Sequence, residues 1–276
     1  MRNFAVCLKN MKQYLYILIL LLSLSSCSEF QKALKSEDVG KKFELGTKLY
    51  EEGKYAKANR LFTQIVPNYR GKPQAEKLMY MYSRSFYEMK DYYLAGYQFE
   101  RFVNAYPKSE KLEEAAFLSA KSYYTLSPVY SKDQTETKEA IEKLQVFINS
   151  YPESEYLAEA NKMVQELDYK LEKKAFEIAK QYNTISDFKA SVKAFDNFLL
   201  EYPGSSFRED AMYYRLDSAY KLAINSVAYK KEDRLKSAQT YLKSFVGTFP
   251  KSDKMDTVNT MMETVDNQLQ SFNTKS

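Results

Sequence analysis

A four-residue phrase returns along the chain: Tyr106-Pro107-Lys108-Ser109, Tyr151-Pro152-Glu153-Ser154, Tyr202-Pro203-Gly204-Ser205 and Phe249-Pro250-Lys251-Ser252, with a weaker copy ending near Tyr69. The successive intervals of 37, 45, 51 and 47 residues imply one structural unit carrying insertions. Each proline ends the helix before it, because it lacks an N–H and disfavours helical geometry in the preceding residue. The serine two positions on is placed to cap the next helix. Helix end and helix start are thus expected within four residues of each other.

Between these stops, small and aromatic residues keep fixed places. Counting back from Pro107 gives Phe102, Phe99, Ala95 and Tyr92, then Phe86 and Ser83; Pro203 gives Phe198, Phe195, Ser191 and Phe188, then Tyr182 and Ala179. The first unit reads Ile65, Phe62, Ala58, Tyr55, Leu49 and Gly46. Small residues where two helices cross, with aromatics locking the hairpin, resemble the 34-residue tetratricopeptide consensus. The fold class expected is all-α: a tetratricopeptide-like α-α superhelix, or solenoid, of about five helical hairpins plus a C-terminal capping helix. The third and fifth hairpins carry longer loops, expected at 127–138 and 225–234. Residues 154–183 contain no breaker and keep a helical period, which predicts one helix of roughly 30 residues or a helix with a kink. The capping helix is expected over about 254–272, with Met255, Val258, Met261, Met262, Val265 and Leu269 on one face. By domain, 36–153 hold repeats 1–3, and 154–276 hold the long helix, repeats 4–5 and the cap.

The N-terminus reads as a targeting segment. Arg2, Lys9 and Lys12 precede an apolar run from Tyr14 to Leu24 that leads into Leu24-Ser25-Ser26-Cys27. That is a basic region, a short apolar region and small residues at a cleavage point. The run is shorter than the roughly 20 apolar residues a bilayer-spanning helix needs. A cysteine directly after small residues resembles a lipobox. Residues 1–26 are therefore expected to be a lipoprotein signal peptide, Cys27 the acylated residue, and 27–35 a lipidated linker; Met11 could also serve as the start. Of the two cysteines, Cys7 leaves with the signal and Cys27 is acylated, so no disulfide is available to the mature chain. Serine rather than aspartate after Cys27 points to the outer membrane, facing the periplasm.

Processing also removes three of the 41 basic residues, leaving 38 against 36 acidic ones, without the clustered basic footprint of a nucleic-acid binder. There is no histidine, the commonest general base and transition-metal ligand. No phosphate-cradling glycine loop occurs among the seven glycines. Carboxylate pairs such as Glu51-Glu52 and Glu113-Glu114 fall at helix ends or on solvated faces. We read a non-enzymatic chain with no cofactor, no metal and no small-molecule substrate.

One pattern in the first helices exceeds what helix packing needs. Phe43, Tyr80, Phe117, Phe176 and Tyr214 share one position, and Tyr50, Tyr87, Tyr124, Asn183 and Lys221 follow seven residues later on the same face. Between them stand Thr47, Arg84, Lys121, Lys180 and Ser218. First helices line the concave groove of a tetratricopeptide array. Phe43, Tyr50, Tyr80, Arg84, Tyr87, Phe117, Lys121 and Tyr124 are accordingly the candidate peptide-binding residues, an aromatic and basic trough richest in repeats one to three. It would suit an extended peptide ending in an aromatic residue and a free carboxylate. Inter-repeat packing accounts for the first aromatic set equally well; the second set favours the groove, since tyrosine hydroxyls prefer water.

The lipobox cysteine, five tetratricopeptide-like units over 36–272, the Tyr-Pro-x-Ser junctions and the order of compact repeats, long helix and cap together resemble the BamD family, lipoproteins of the outer-membrane β-barrel assembly machinery. The resemblance implies a non-catalytic scaffold, lipid-anchored at the outer membrane. It implies two partners: the barrel subunit with periplasmic POTRA domains, met mainly by the C-terminal repeats, and the C-terminal targeting strand of unfolded outer-membrane proteins, met by the N-terminal repeats. The alternative is a general tetratricopeptide adaptor lipoprotein serving cell-wall or polysaccharide machinery.

Overall fold

The computed structural model describes residues 29–273, all of whose regular structure is helical. The signal peptide 1–26 and Cys27 lie outside the described residues. Helix α1 spans 29–35. Five hairpins follow: α2 (Val39–Glu51) with α3 (Tyr55–Ile65), α4 (Ala75–Glu88) with α5 (Tyr92–Ala105), α6 (Leu112–Leu126) with α7 (Thr135–Ser150), α8 (Leu157–Thr184) with α9 (Phe188–Glu201), and α10 (Arg208–Ile224) with α11 (Ala228–Thr248). α12 (Met255–Asn273) closes the series, and the expected all-α tetratricopeptide-like class stands.

Two compact units divide the chain. One ends at Pro128 and resumes over Thr135–Val164; the other takes Val129–Gln134 and everything from Gln165 onward. The division therefore falls inside α8 and not at the 153/154 boundary expected from the repeats.

In the first unit, each helix packs on the next from α2 to α7. Its core is built from the aromatic and small residues named above: Phe62, Phe99 and Phe102 are fully buried, and Ala58, Ala95 and Ala140 lie at the crossings with no exposure. Gly46 is required by a close approach, since a β-carbon there would stand 2.6 Å from Cε1 of Phe62. Phe62 is fully buried, so its ring has no solvent to swing into. Gly46→Val is thus expected to cost roughly 1–3 kcal/mol through overpacking, read as a lower urea midpoint. An unchanged midpoint would mean that the ring can swing aside.

Three hairpins share one turn. Gly53, Lys90 and Ser186 all take positive φ, at 72°, 63° and 65°. The next residue's N–H donates back into the helix, from Lys54 to the Leu49 carbonyl, Asp91 to Phe86 and Asp187 to Tyr182. This left-handed exit closes the helix end with its carbonyls satisfied. Asp91 and Asp187 then accept from the N–H groups of Leu94 and Ala190 to start the second helix.

The junction serines depart from the expected cap. The Oγ atoms of Ser109, Ser154, Ser205 and Ser252 accept from the N–H two residues on, forming a turn ahead of the helix. The gap from α5 to α6 is accordingly six residues, 106–111. Three of these hydroxyls also donate backward to the first helix of the preceding repeat: Ser109 to Glu76 at 2.6 Å, Ser154 to Glu113 at 2.5 Å and Ser252 to Glu209 at 2.7 Å.

In the second unit, Phe176 and Ala179 of α8 pack with Phe195 and Phe198 of α9 and Ala211 of α10. α12 lays Val258 and Val265, both fully buried, on the core of α10 and α11, with Met255, Met261, Met262 and Leu269 beside them. The long helix and the cap match their expected limits within three residues. The loop expected at 225–234 does not exist at that length: α11 already begins at Ala228. Its added turns contain no glycine or proline, and a Glu232–Lys236 pair at 2.7 Å supports them. The third hairpin keeps its longer loop, over 127–134. The expected linker 27–35 is, from residue 29, the helix α1. Phe30, Ala33 and Leu34 recur at helical spacing and join the core of the first hairpin.

Candidate peptide-binding face

Along α2, α4 and α6 the candidate residues stand at intervals of four and three, so each helix presents its own set on one face. The first unit brings most of them into one electrostatic neighbourhood. Arg84 on α4 donates through Nε to Glu88 at 2.7 Å and through a terminal nitrogen to Glu114 on α6 at 3.1 Å. Its guanidinium lies 5.7 Å from the Tyr87 ring centroid. Lys121 on α6 pairs with Glu159 of α8 at 2.8 Å, within the same unit, and sits 5.4 Å from the Phe117 ring.

The titration shifts map the same cluster. Burial pushes the Tyr50 hydroxyl up to about 12, against the pull of Arg84. Burial also raises Tyr80, reinforced by a hydrogen bond to Glu114. Burial alone would raise the Glu114 carboxyl, but Lys111, Tyr80 and Arg84 outweigh it and hold it below the ordinary carboxylate range. For Lys121 the desolvation that would lower it is outweighed by Glu159, and the ammonium is raised. Burial raises Tyr87, against the opposing field of Lys121 and Arg84.

Three features differ from the sequence expectation. First, the trough is compensated rather than basic: Arg84, Lys111 and Lys121 face Glu88, Glu114 and Glu159. The carboxylates were the residues missed. Glu88 was detectable as the i+4 partner of Arg84, whereas Glu114 and Glu159 come from neighbouring helices whose register the repeat alone does not supply. Second, Phe117 is 3% exposed, stacked on Tyr156 at 4.5 Å and tilted against Phe147 at 5.5 Å. It is a core residue and has no face to offer. Third, Phe43 stacks on Tyr69 at 5.2 Å, and Tyr80 meets Phe102 edge-on at 5.7 Å, so the first aromatic set carries packing while leaving only part of each ring accessible.

The second set is half-buried in all three helices and so forms an unbroken row. Tyr50 and Tyr87 each meet the first tyrosine of the following helix edge-on, Tyr55 and Tyr92, both at 5.4 Å. Tyr124 is half-buried at the matching position of α6. What the face can do chemically is grip an extended chain: aromatic edges take apolar side chains, and alternating cations and carboxylates take its carbonyls and N–H groups.

Comparison with known proteins bears on this arrangement. Residues 36–232 match the family model YfiO, described as "Outer membrane lipoprotein". A relative from Aquifex aeolicus (strain VF5), described as "Putative outer membrane protein assembly factor BamD", is 30% identical over 220 residues, which are 78% of this chain and 71% of that protein. Among solved structures, the TPR2AB domain of yeast Sti1 in its pHSP90 complex is similar at 14% identity, covering 83% of this chain and 98% of that one with a TM-score of 0.36. That superposition is loose, and the fold rests on the hairpins themselves.

Proposed function

Since this chain belongs to the YfiO family of outer membrane lipoproteins, the family of BamD, we propose that it is a non-catalytic scaffold of the outer-membrane β-barrel assembly machinery. In this reading it is held by acyl chains on Cys27 at the periplasmic face of the outer membrane. Its C-terminal repeats bind the POTRA-bearing barrel subunit, and its first three repeats bind the C-terminal strand of unfolded outer-membrane proteins. The match over 36–232 carries the reading, because it takes in every hairpin up to the start of α11. Affinity purification from solubilised outer membranes tests it. Recovery of a large barrel protein with POTRA domains supports it, whereas cell-wall enzymes without that barrel would favour the general adaptor.

The compensated charges make the strand-binding part testable by itself. Glu114 occupies Arg84 and Lys111 together, so a peptide carboxylate must compete with it. Glu114→Gln is expected to tighten binding of a peptide with a C-terminal aromatic residue several-fold, by freeing Lys111 and the Arg84 terminal nitrogen of their shared carboxylate while Glu88 keeps the Arg84 Nε. Amidating the peptide terminus should abolish the gain. Equal affinities for both peptides in both proteins would remove Arg84 from the site.

A further inference from the structure

Phe30 stands three residues after Cys27 and already belongs to the core of the first hairpin, 6% exposed, with Leu49, Ala58, Leu61 and Phe62. Lys57 and Arg60 of α3 close over its ring at 5.7 and 5.6 Å. The folded body therefore begins almost at the anchor. Three peptide units span at most about 11 Å, so acyl chains on Cys27 leave Phe30 within that reach of the bilayer surface. This is comparable with the roughly 8 Å over which charges act at physiological salt.

Between α1 and α2 opens a cleft of about 490 Å³ whose walls carry Lys32, Lys41 and Lys48 together with Glu29, Glu44 and Leu45. The three lysines are exposed. Lys32 is only two residues, about 3 Å of helix rise, beyond Phe30. With three lysines against two glutamates the cleft is net positive, and with Cys27 acylated the surface of opposite charge within reach of the tether is the lipid phosphates of the leaflet that holds the anchor.

We propose that the first hairpin docks on the bilayer, with the α1–α2 cleft against phospholipid headgroups and Lys32, Lys41 and Lys48 on the lipid phosphates. The short tether makes this contact permanent instead of occasional. The proposal rests on acylation of Cys27, and the anchor works here as a clamp on one repeat, where a flexible linker would give only a leash.

The test uses the full acylated chain in phosphatidylethanolamine and phosphatidylglycerol vesicles. The processed chain has no cysteine besides Cys27, so Glu37→Cys, at an exposed site between α1 and α2, takes a dye uniquely. Nitroxides on lipid headgroups are expected to quench it strongly. Replacing Lys32, Lys41 and Lys48 together by Glu should cut the quenching several-fold, as should Phe30→Ala, which unpins α1 and lengthens the tether. Far-ultraviolet circular dichroism checks that each variant is folded, and Lys→Gln at the same three sites serves if the reversal is not. A dye left unquenched, or quenching indifferent to the lysines, overturns the docking if mass spectrometry finds Cys27 acylated. An unmodified Cys27 would instead overturn the anchoring itself and the docking with it.

Discussion

Cys27→Ser is expected to incorporate no radiolabelled palmitate, to persist as the uncleaved precursor and to vanish from the outer-membrane fraction. The lipid-bearing thioether needs the sulfur atom, and serine supplies only a weaker oxygen nucleophile. The size of the effect follows from apolar transfer. Each buried methylene is worth about 0.8 kcal/mol, one acyl chain alone gives marginal binding, and two or more give an anchor. Removing all of them is therefore an all-or-none change in location, beyond what any surface substitution on the hairpins could produce. Palmitate label retained by the serine variant would show that the acyl chains sit elsewhere.

The second large effect concerns the core of the first unit. Phe99→Ala is expected to destabilise that unit by about 3–5 kcal/mol. The ring is fully buried on α5, which packs against both α4 and α6, and Tyr80 meets it edge-on at 6.3 Å. Truncation would leave a cavity lined by three helices that cannot close independently. In a stack of hairpins stability is carried by nearest neighbours, so the loss should be local. Hydrogen exchange should show amides of α4–α6 losing protection while those of α10 and α11 keep theirs. Tyr93→Ala, six residues earlier on the same helix but 70% exposed, should shift stability by less than about 0.5 kcal/mol. Equal losses at Phe99 and Tyr93, or a uniform loss of protection, would contradict this account.

Much of the fold was legible because proline, small residues and aromatics each answer a local constraint. Pro107, Pro152, Pro203 and Pro250 stop helices wherever they occur; Ala58, Ala95 and Gly46 are small because another helix crosses there. The unbroken period of 154–183 became α8 almost residue for residue. What failed was loop reading. Residues 225–234 are polar and unmatched to the consensus, yet polarity without glycine or proline is equally compatible with a solvated helix, and α11 takes that option. The segment after Cys27 looked like a tether since it precedes the first consensus position, although Phe30, Ala33 and Leu34 already spelled a helical stripe.

The candidate site was legible in its rings and only half legible in its charges. Tyr50 and Tyr87 could be placed by spacing alone. The roles of Arg84 and Lys121 depend on Glu114 and Glu159, which arrive from other helices, and a one-dimensional count of cations could not reveal that they were already engaged. Phe117 shows the matching limit for aromatics. The same position in successive repeats can face water or core, depending on whether a ring such as Tyr156 covers it.

The bonds from Ser109 to Glu76, Ser154 to Glu113 and Ser252 to Glu209 bring a modular economy. Each of these three junctions packages its own helix terminator, its own bend and its own latch onto the neighbour behind, so the instructions for joining two hairpins travel with the joint. A gene could then lengthen or shorten such a protein by whole hairpins, copied from one proline to the next, and each newcomer would arrive already carrying the fastener its predecessor needs.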